Sequence, residues 1–338
     1  MSLVVANDGQ RLQGPFEVVC STDDRGEWLR ERVGGIGASE MAAVMGLYKY
    51  SSALEVYARK IGAFDLSNDD VGEPAYWGTQ LEELVVNEFA KRTGKTVIRQ
   101  QHLLRSTVYP WALSTLDAAV FPEQVPVEAK TASAYLLDDW TNGTPLYYRI
   151  QCHQQMLVTG ANRVYAACLV GGQKFVWDVV ERDEALISQI IDAGTKFWSC
   201  VQERVPPAPD GSESAERALE ALVTDRVESI ELRPVLPEDL TDVGLTLEQV
   251  QLDLRALNAS VKSLTKKRNE LQQQIRLAMD GSKYADLGGW VYVDEHRKRA
   301  AYTAAPAEWH ELRRSTYEDE VVKVKRKTKT EDRKARAV

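Results

Sequence analysis

Cysteine is scarce in this chain, and its placement excludes more than its number does. Four cysteines, Cys20, Cys152, Cys168 and Cys200, are scattered along 338 residues, and none forms a Cys-x-x-Cys pair. That spacing suggests neither a zinc nor an iron–sulfur site and reads as buried free thiols in a reducing compartment. Histidine is equally sparse, and His102, His296 and His310 have no partner at ligand spacing. No run of 18 apolar residues occurs, so no membrane-spanning segment is expected. The opening MSLVVANDGQRLQ lacks a basic stretch followed by an apolar one. No signal peptide is therefore expected, and the cytoplasm is the expected location. Tandem repeats are absent.

What remains has the composition of an ordinary globular chain, 44% hydrophobic and 27% charged. The length suits two domains, or one with an appendage. Charge is uneven. Residues 1–245 hold 22 Lys and Arg against 36 Asp and Glu, a net of −14; residues 246–338 hold 20 against 14, a net of +6. So acidic a body does not advertise nucleic-acid binding. A DNA substrate would require a local basic lining, metal ions or the basic tail.

Periodicity divides the chain. Helical spacing is expected over 25–33, after Gly37, over 53–61 and over 74–93, with Ser39 as an N-cap. Short strands follow at 96–98 and 102–104. A strand pair, 111–121 and 125–131, turns at Pro122-Glu123-Gln124. A helix over 145–159 ends at Gly160, a hairpin turns at Gly171-Gly172, and a helix spans 182–203. This pattern predicts an α/β domain over 1–205. Residues 206–244 read as an acidic linker opened by Pro206-Pro207-Ala208-Pro209. Residues 245–338 read as a long helix (245–280), a short β hairpin and a basic, disordered tail.

The chemistry concentrates at Asp117 and Glu128-Ala129-Lys130. Glu128 and Lys130 stand two apart on one strand and share a face. Asp117, Glu128 and the Ala129 carbonyl present the hard oxygen donors that Mg²⁺ prefers. Lys130 supplies a point charge to orient a water or to stabilise a phosphate. Gln151, His153, Gln154 and Gln155 lie on a helix able to border the same cleft. Glu82 and Glu83 fall early in the 74–93 helix, where helix-dipole complementarity would also explain them. Arg32 with Gly35-Ile36-Gly37-Ala38-Ser39 is a glycine-rich approach to a helix start, suited to a phosphate.

In order, Trp28-Leu-Arg-Glu-Arg32, Gly35-Ile-Gly-Ala-Ser39-Glu40, Trp77-Gly-Thr-Gln-Leu-Glu82, Leu116-Asp117, Glu128-Ala-Lys130 and Tyr148-Arg-Ile-Gln151-Cys-His153-Gln-Gln155 resemble the YqaJ-type viral recombinase domain. This is the lambda-exonuclease branch of the PD-(D/E)xK nucleases, and the resemblance covers about residues 25–205. It implies an α/β restriction-endonuclease-like core, a central mixed sheet flanked by helices. It implies Mg²⁺-dependent (alternatively Mn²⁺-dependent) 5′→3′ digestion of one strand of linear duplex DNA. The 3′ overhang would pass to a single-strand annealing protein in phage-type recombination. Glu82 rather than Glu83, with Asp117, Glu128 and Lys130, is the implied catalytic set, Glu82 reaching the metal directly or through water. Arg32 and Ser39 are implied to hold the 5′ phosphate and Gln151 to border the DNA. His153 stands where a second glutamine is common. The implied partners are duplex DNA ends, an annealing protein and further copies in a ring-shaped trimer, with no membrane. An endonuclease or flap-type nuclease on the same fold, or a non-catalytic DNA-end binder, are the alternatives.

Overall fold

The computed structural model describes residues 4–5, 12–64, 72–100, 102–223, 239–288, 290–299 and 307–316. The chain divides into two compact units, Met1–Glu228 and Ser229–Val338. The first unit runs β1 (Val4–Val5), β2 (Phe16–Ser21), α1 (Arg25–Val33), β3 (Ile36–Gly37), a 3-10 turn (Ala38–Glu40), α2 (Met41–Val44), α3 (Ala53–Lys60), α4 (Gly72–Thr93) and β4 (Thr96–Arg99). It continues with β5 (His102–Ser106), β6 (Ala112–Thr115), β7 (Ala118–Phe121), β8 (Val125–Ala132), a second 3-10 turn (Ala134–Leu136), α5 (Leu137–Thr141), α6 (Leu146–Thr159), β9 (Arg163–Val170), β10 (Lys174–Glu181), α7 (Glu184–Glu203) and α8 (Glu213–Leu222).

Two mixed sheets result. The larger has the order β1-β4-β7-β8-β9-β10; the smaller is β2-β5-β6-β3. Strand β8 runs antiparallel to β7 and parallel to β9, with Glu128 opposite Ala166 and Lys130 opposite Cys168. A parallel neighbour requires a crossover, and α5 and α6 supply it. Helix α4 covers one face of the large sheet, where Val85, Val86, Phe89 and Ala90 meet Val97, Val120, Val127 and Ala167. Helix α6 covers the other face and is buried from Ile150 to Thr159. The fold is therefore a mixed sheet flanked by helices.

Several expectations are corrected by this arrangement. The span 111–121 is not one strand: it breaks at Leu116-Asp117 into β6 and β7, which belong to different sheets. Leu116 sinks into the core while Asp117 stays partly open. The shared face of Glu128 and Lys130 on β8 is largely closed to solvent. Val125 through Ala129 are all buried, because a helix lies on each side. Ser39 does not cap a helix. It lies inside the 3-10 turn, where Gly37 N–H donates to Glu40 Oε2 at 2.6 Å. Within the stretch expected as a linker, α8 forms behind its cap Ser212 and places Ala215 and Ala218 in the core. Helix α4, expected from 74, opens at Gly72, and residues 65–71 ahead of it lie outside the described residues.

The second unit consists of α9 (Asp239–Met279), β11 (Tyr284–Leu287), β12 (Trp290–Arg299) and β13 (Ala307–Thr316). Its strands form an antiparallel sheet in the order β11-β12-β13. The expected hairpin is thus three-stranded. The basic tail expected to be disordered lies outside the described residues at 317–338.

Candidate active site

Four elements deliver the site. The break between β6 and β7 places Asp117, β8 places Glu128 and Lys130, α4 places Glu82, and α6 places Gln151 and Gln155. A cavity of about 430 Å³ is lined by Ser39, Glu82, Asp117, Ala129, Lys130 and Gln151, with Tyr48, Tyr147 and Tyr148 on its walls. Glu128 lies behind it at 2% exposure.

Both oxygens of that buried carboxylate are held. Lys130 Nζ donates to Oε1, as does Gln151 Nε2 at 2.6 Å, and Gln155 Nε2 donates to Oε2. Gln151 and Gln155 are four apart on α6 and so project from one helix face. Asp117 is tied to the same strand, for its Oδ2 accepts the Ala129 N–H at 2.7 Å. Burial and the charges of Glu128 and Glu82 nevertheless raise the Asp117 carboxyl well above its usual range. Glu82 is raised too, by burial first and by Glu128, while Arg99 at 3.7 Å opposes the shift. Burial works to lower the Lys130 ammonium, but Glu128 and Asp117 outweigh it and hold the group above the ordinary lysine range. The Tyr148 ring lies 5.3 Å from the Lys130 Nζ.

A second polar group stands beside the cavity. Arg32 Nη2 donates to Ser39 Oγ at 2.9 Å, and its guanidinium carbon lies 4.9 Å from the Trp28 ring centroid. Glu40 faces Arg32 at 3.6 Å and Lys60 at 2.8 Å. Lys60 is itself buried and also donates to the Arg32 carbonyl at 2.9 Å. Ser39 lines the cavity; Arg32 reaches it through Ser39.

The structure thus gathers Glu82, Asp117, Ala129, Lys130, Ser39 and Gln151 around one cavity, with Glu128 behind. It does not bring His153 there. That ring is fully buried, its Nδ1 lies 2.6 Å from the Arg149 carbonyl, and its Nε2 accepts the Asp183 N–H at 3.1 Å. Both nitrogens serve the backbone, Nδ1 the preceding turn of α6 and Nε2 the residue that caps α7. Glu83 is exposed and faces Arg99 at 3.6 Å. Sequence reasoning placed Gln155 near the cleft but gave it no role. The four-residue repeat Gln151/Gln155 was the available signal.

The donors fit a hard divalent ion in chemistry: carboxylates crowded enough to raise one another, with Lys130 as the cation among them. They are not a ready-made cage. Among the described residues no group of three or more His, Cys, Asp and Glu side chains is placed to hold a metal. An ion here would take one or two carboxylates and complete its shell from water and substrate, as Mg²⁺ commonly does.

A family model described as the YqaJ-like viral recombinase domain matches residues 27–162, a span that contains every residue of this site. The Bacillus subtilis (strain 168) protein described as uncharacterized protein YqaJ is 34% identical over 272 residues, which are 79% of this chain and 82% of that protein. The chain belongs to the YqaJ-like viral recombinase family. Among solved structures, an alkaline exonuclease (LHK-Exo) from Laribacter hongkongensis is 21% identical with a TM-score of 0.46, covering 58% of this chain and 99% of the other. A phage-related exonuclease from Haemophilus somnus 129PT is 11% identical with a TM-score of 0.41, covering 50% and 96%.

Proposed function

We propose that this protein is a divalent-metal-dependent nuclease, using Mg²⁺ or alternatively Mn²⁺, that digests linear duplex DNA from its 5′ ends. The observation that carries the reading is the charge arrangement of the cleft. Glu82, Asp117 and Glu128 stand around one ammonium, Lys130, and burial first, then the neighbouring carboxylates, holds the Asp117 carboxyl well above its ordinary range. A cleft that gathers three carboxylates beside an open wall suits a cation bridging protein and phosphate.

Asp117 and the Ala129 carbonyl would hold the metal together with Glu128, and Glu82 would reach it directly or through water. The bound ion would supply charge neutralisation on the scissile phosphate and a more acidic water. Glu128 is fixed in orientation by Gln151 and Gln155, so its carboxylate does not turn when a substrate arrives. Lys130, held protonated by Glu128 and Asp117, serves as a positioned positive charge against the phosphate rather than as the base. Ser39 and Arg32 supply a hydroxyl and a guanidinium for a terminal phosphate, and Gln151 borders the strand. The tyrosines of the wall offer ring faces and hydroxyls to the nucleotide. The 3′ overhang so produced would suit a single-strand annealing protein in the cytoplasm, and the family resemblance adds a ring of three copies.

Polarity is read by supplying duplexes labelled at the 5′ or the 3′ end, with and without Mg²⁺. The proposal expects early release of the 5′ label as a short product while the 3′ label stays on long strands. Release of the 3′ label first contradicts it. Arg32→Ala should reduce the preference for 5′-phosphorylated over 5′-hydroxyl ends more than it slows a strand already engaged. Equal loss on both end types would remove the phosphate-anchor role.

A further inference from the structure

Helix α9 carries a heptad seam that no described residue of its own unit covers. Positions 243, 247, 250, 254, 257, 261, 264, 268 and 271 follow one another at alternating steps of four and three. Eight are Val or Leu and the ninth is Arg268. The eight apolar side chains are 46% to 70% exposed. The end of the helix differs: Met279 is buried, as are Val291 and Val293 of β12, and Arg276 pairs with Asp294 at 3.3 Å. The open stretch therefore lies upstream of the part anchored to the sheet. A continuous a/d seam on a helix about 60 Å long is the pattern of a coiled-coil strand, and an exposed apolar stripe of this extent marks an interaction surface.

Charge along the helix selects the occupant. Residues 239–253 carry four acids and no base, whereas residues 260–279 carry five bases and one acid. A second copy lying parallel would set acid on acid and Arg268 on Arg268. An antiparallel copy sets each acidic half on a basic half.

We propose that two copies of this chain pair antiparallel through the α9 seam. The heptad phase allows registers seven residues apart, and the match of Asp253 with Lys267 selects one of them. Leu247 faces Leu271 of the second copy, Leu254 faces Leu264, and Leu257 faces Val261. In the same register Arg268 lies across from Val250 beside Asp253, and Asp253 and Lys267 flank the seam from opposite chains. The isolated polar residue thereby acquires an acidic neighbour, and a parallel or shifted register loses it. The pairing stands apart from the chemistry of the cleft, and a two-fold contact of this kind joins chains whatever ring the first unit forms.

The test uses full-length protein in a Cys200→Ser background. One preparation carries Leu254→Cys and another Leu264→Cys, and each is mildly oxidised alone and after mixing. The proposal expects a covalent dimer in the mixture and little in either preparation alone. A covalent dimer from each alone indicates parallel pairing and overturns it. No covalent dimer in any preparation also overturns it, and leaves the seam to the chain's own first unit or to DNA. Independently, Leu257→Lys with Val261→Lys should halve the number of chains per particle by light scattering, with helix content unchanged. An unchanged particle mass would overturn the pairing.

Discussion

Glu128 shows what the site asks of single residues. A carboxylate at 2% exposure persists only because Lys130, Gln151 and Gln155 all donate to it. Gln155→Ala removes the donor to Oε2 and leaves a buried oxygen unpaired. It should cost about 1–3 kcal/mol of stability, read by urea denaturation, and should lower turnover as the carboxylate loses its orientation. Lys130→Met should lower turnover by roughly 100-fold or more, the scale of losing one charge-stabilising group, while circular dichroism shows the fold retained. Near-normal turnover would remove Lys130 from the mechanism. His153 predicts a pH effect on stability instead of catalysis. Burial lowers its pKa below the ordinary 6.5. The unfolded chain therefore takes up a proton before the folded one does. The contribution of this residue is complete above pH 6.5 and is lost as pH falls from there through the folded pKa. His153→Gln should flatten that part of the stability–pH curve; an unchanged slope would show that the ring is not buried as a neutral group.

At the scale of elements, two helix dockings are specific enough to test. A Cβ on Gly194 of α7 would come within 2.2 Å of the Trp111 ring. Gly194→Ala should therefore cost about 1–3 kcal/mol through overpacking, although alanine favours helix elsewhere. Helix α8 is locked to α3 by Ser214, which accepts the Ser52 N–H at 2.8 Å and donates to Glu55. Ser214→Val should loosen α8 by about 1–3 kcal/mol, visible as earlier proteolysis near residue 223. The elements most legible in the sequence were those with strong local signals: α6 stopped by Gly160, the hairpin at Gly171-Gly172, and α4 stopped before Gly94. The break at Leu116-Asp117 was not legible. Apolar residues flank it on both sides, no glycine or proline marks it, and only the sheet change, a long-range event, turns Asp117 towards the cavity. Helix α8 was hidden because an acidic, proline-led segment resembles a linker until its small residues Ala215 and Ala218 find a core. In the site, spacing alone pointed only weakly to Asp117, Glu128 and Lys130, and the family resemblance singled them out; the structure brings the three side by side, with Asp117 at the break between β6 and β7. The role of Gln155 and the removal of His153 depended on which side of α6 faces β8, which periodicity alone leaves open within a helix buried all round.

For the whole molecule, charge is the ordering theme. The chain carries a formal net charge of −8, and three of its carboxylates, Glu82, Asp117 and Glu128, are gathered at the cleft. A polyanionic substrate approaches such a surface only if cations intervene, so binding and turnover should both depend steeply on divalent metal. Chelation should therefore abolish turnover while leaving the fold intact, since every donor to Glu128 comes from the protein itself.

The central claim is metal-dependent digestion from an end, and one assay addresses it directly. The protein is incubated with 5′-phosphorylated linear duplex and, in parallel, with a covalently closed circle, each with and without Mg²⁺, beside the Lys130→Met variant. The account predicts loss of one strand from the linear duplex only when Mg²⁺ is present, an intact circle and an inactive variant. A cut circle, or digestion that persists in chelator, would contradict it.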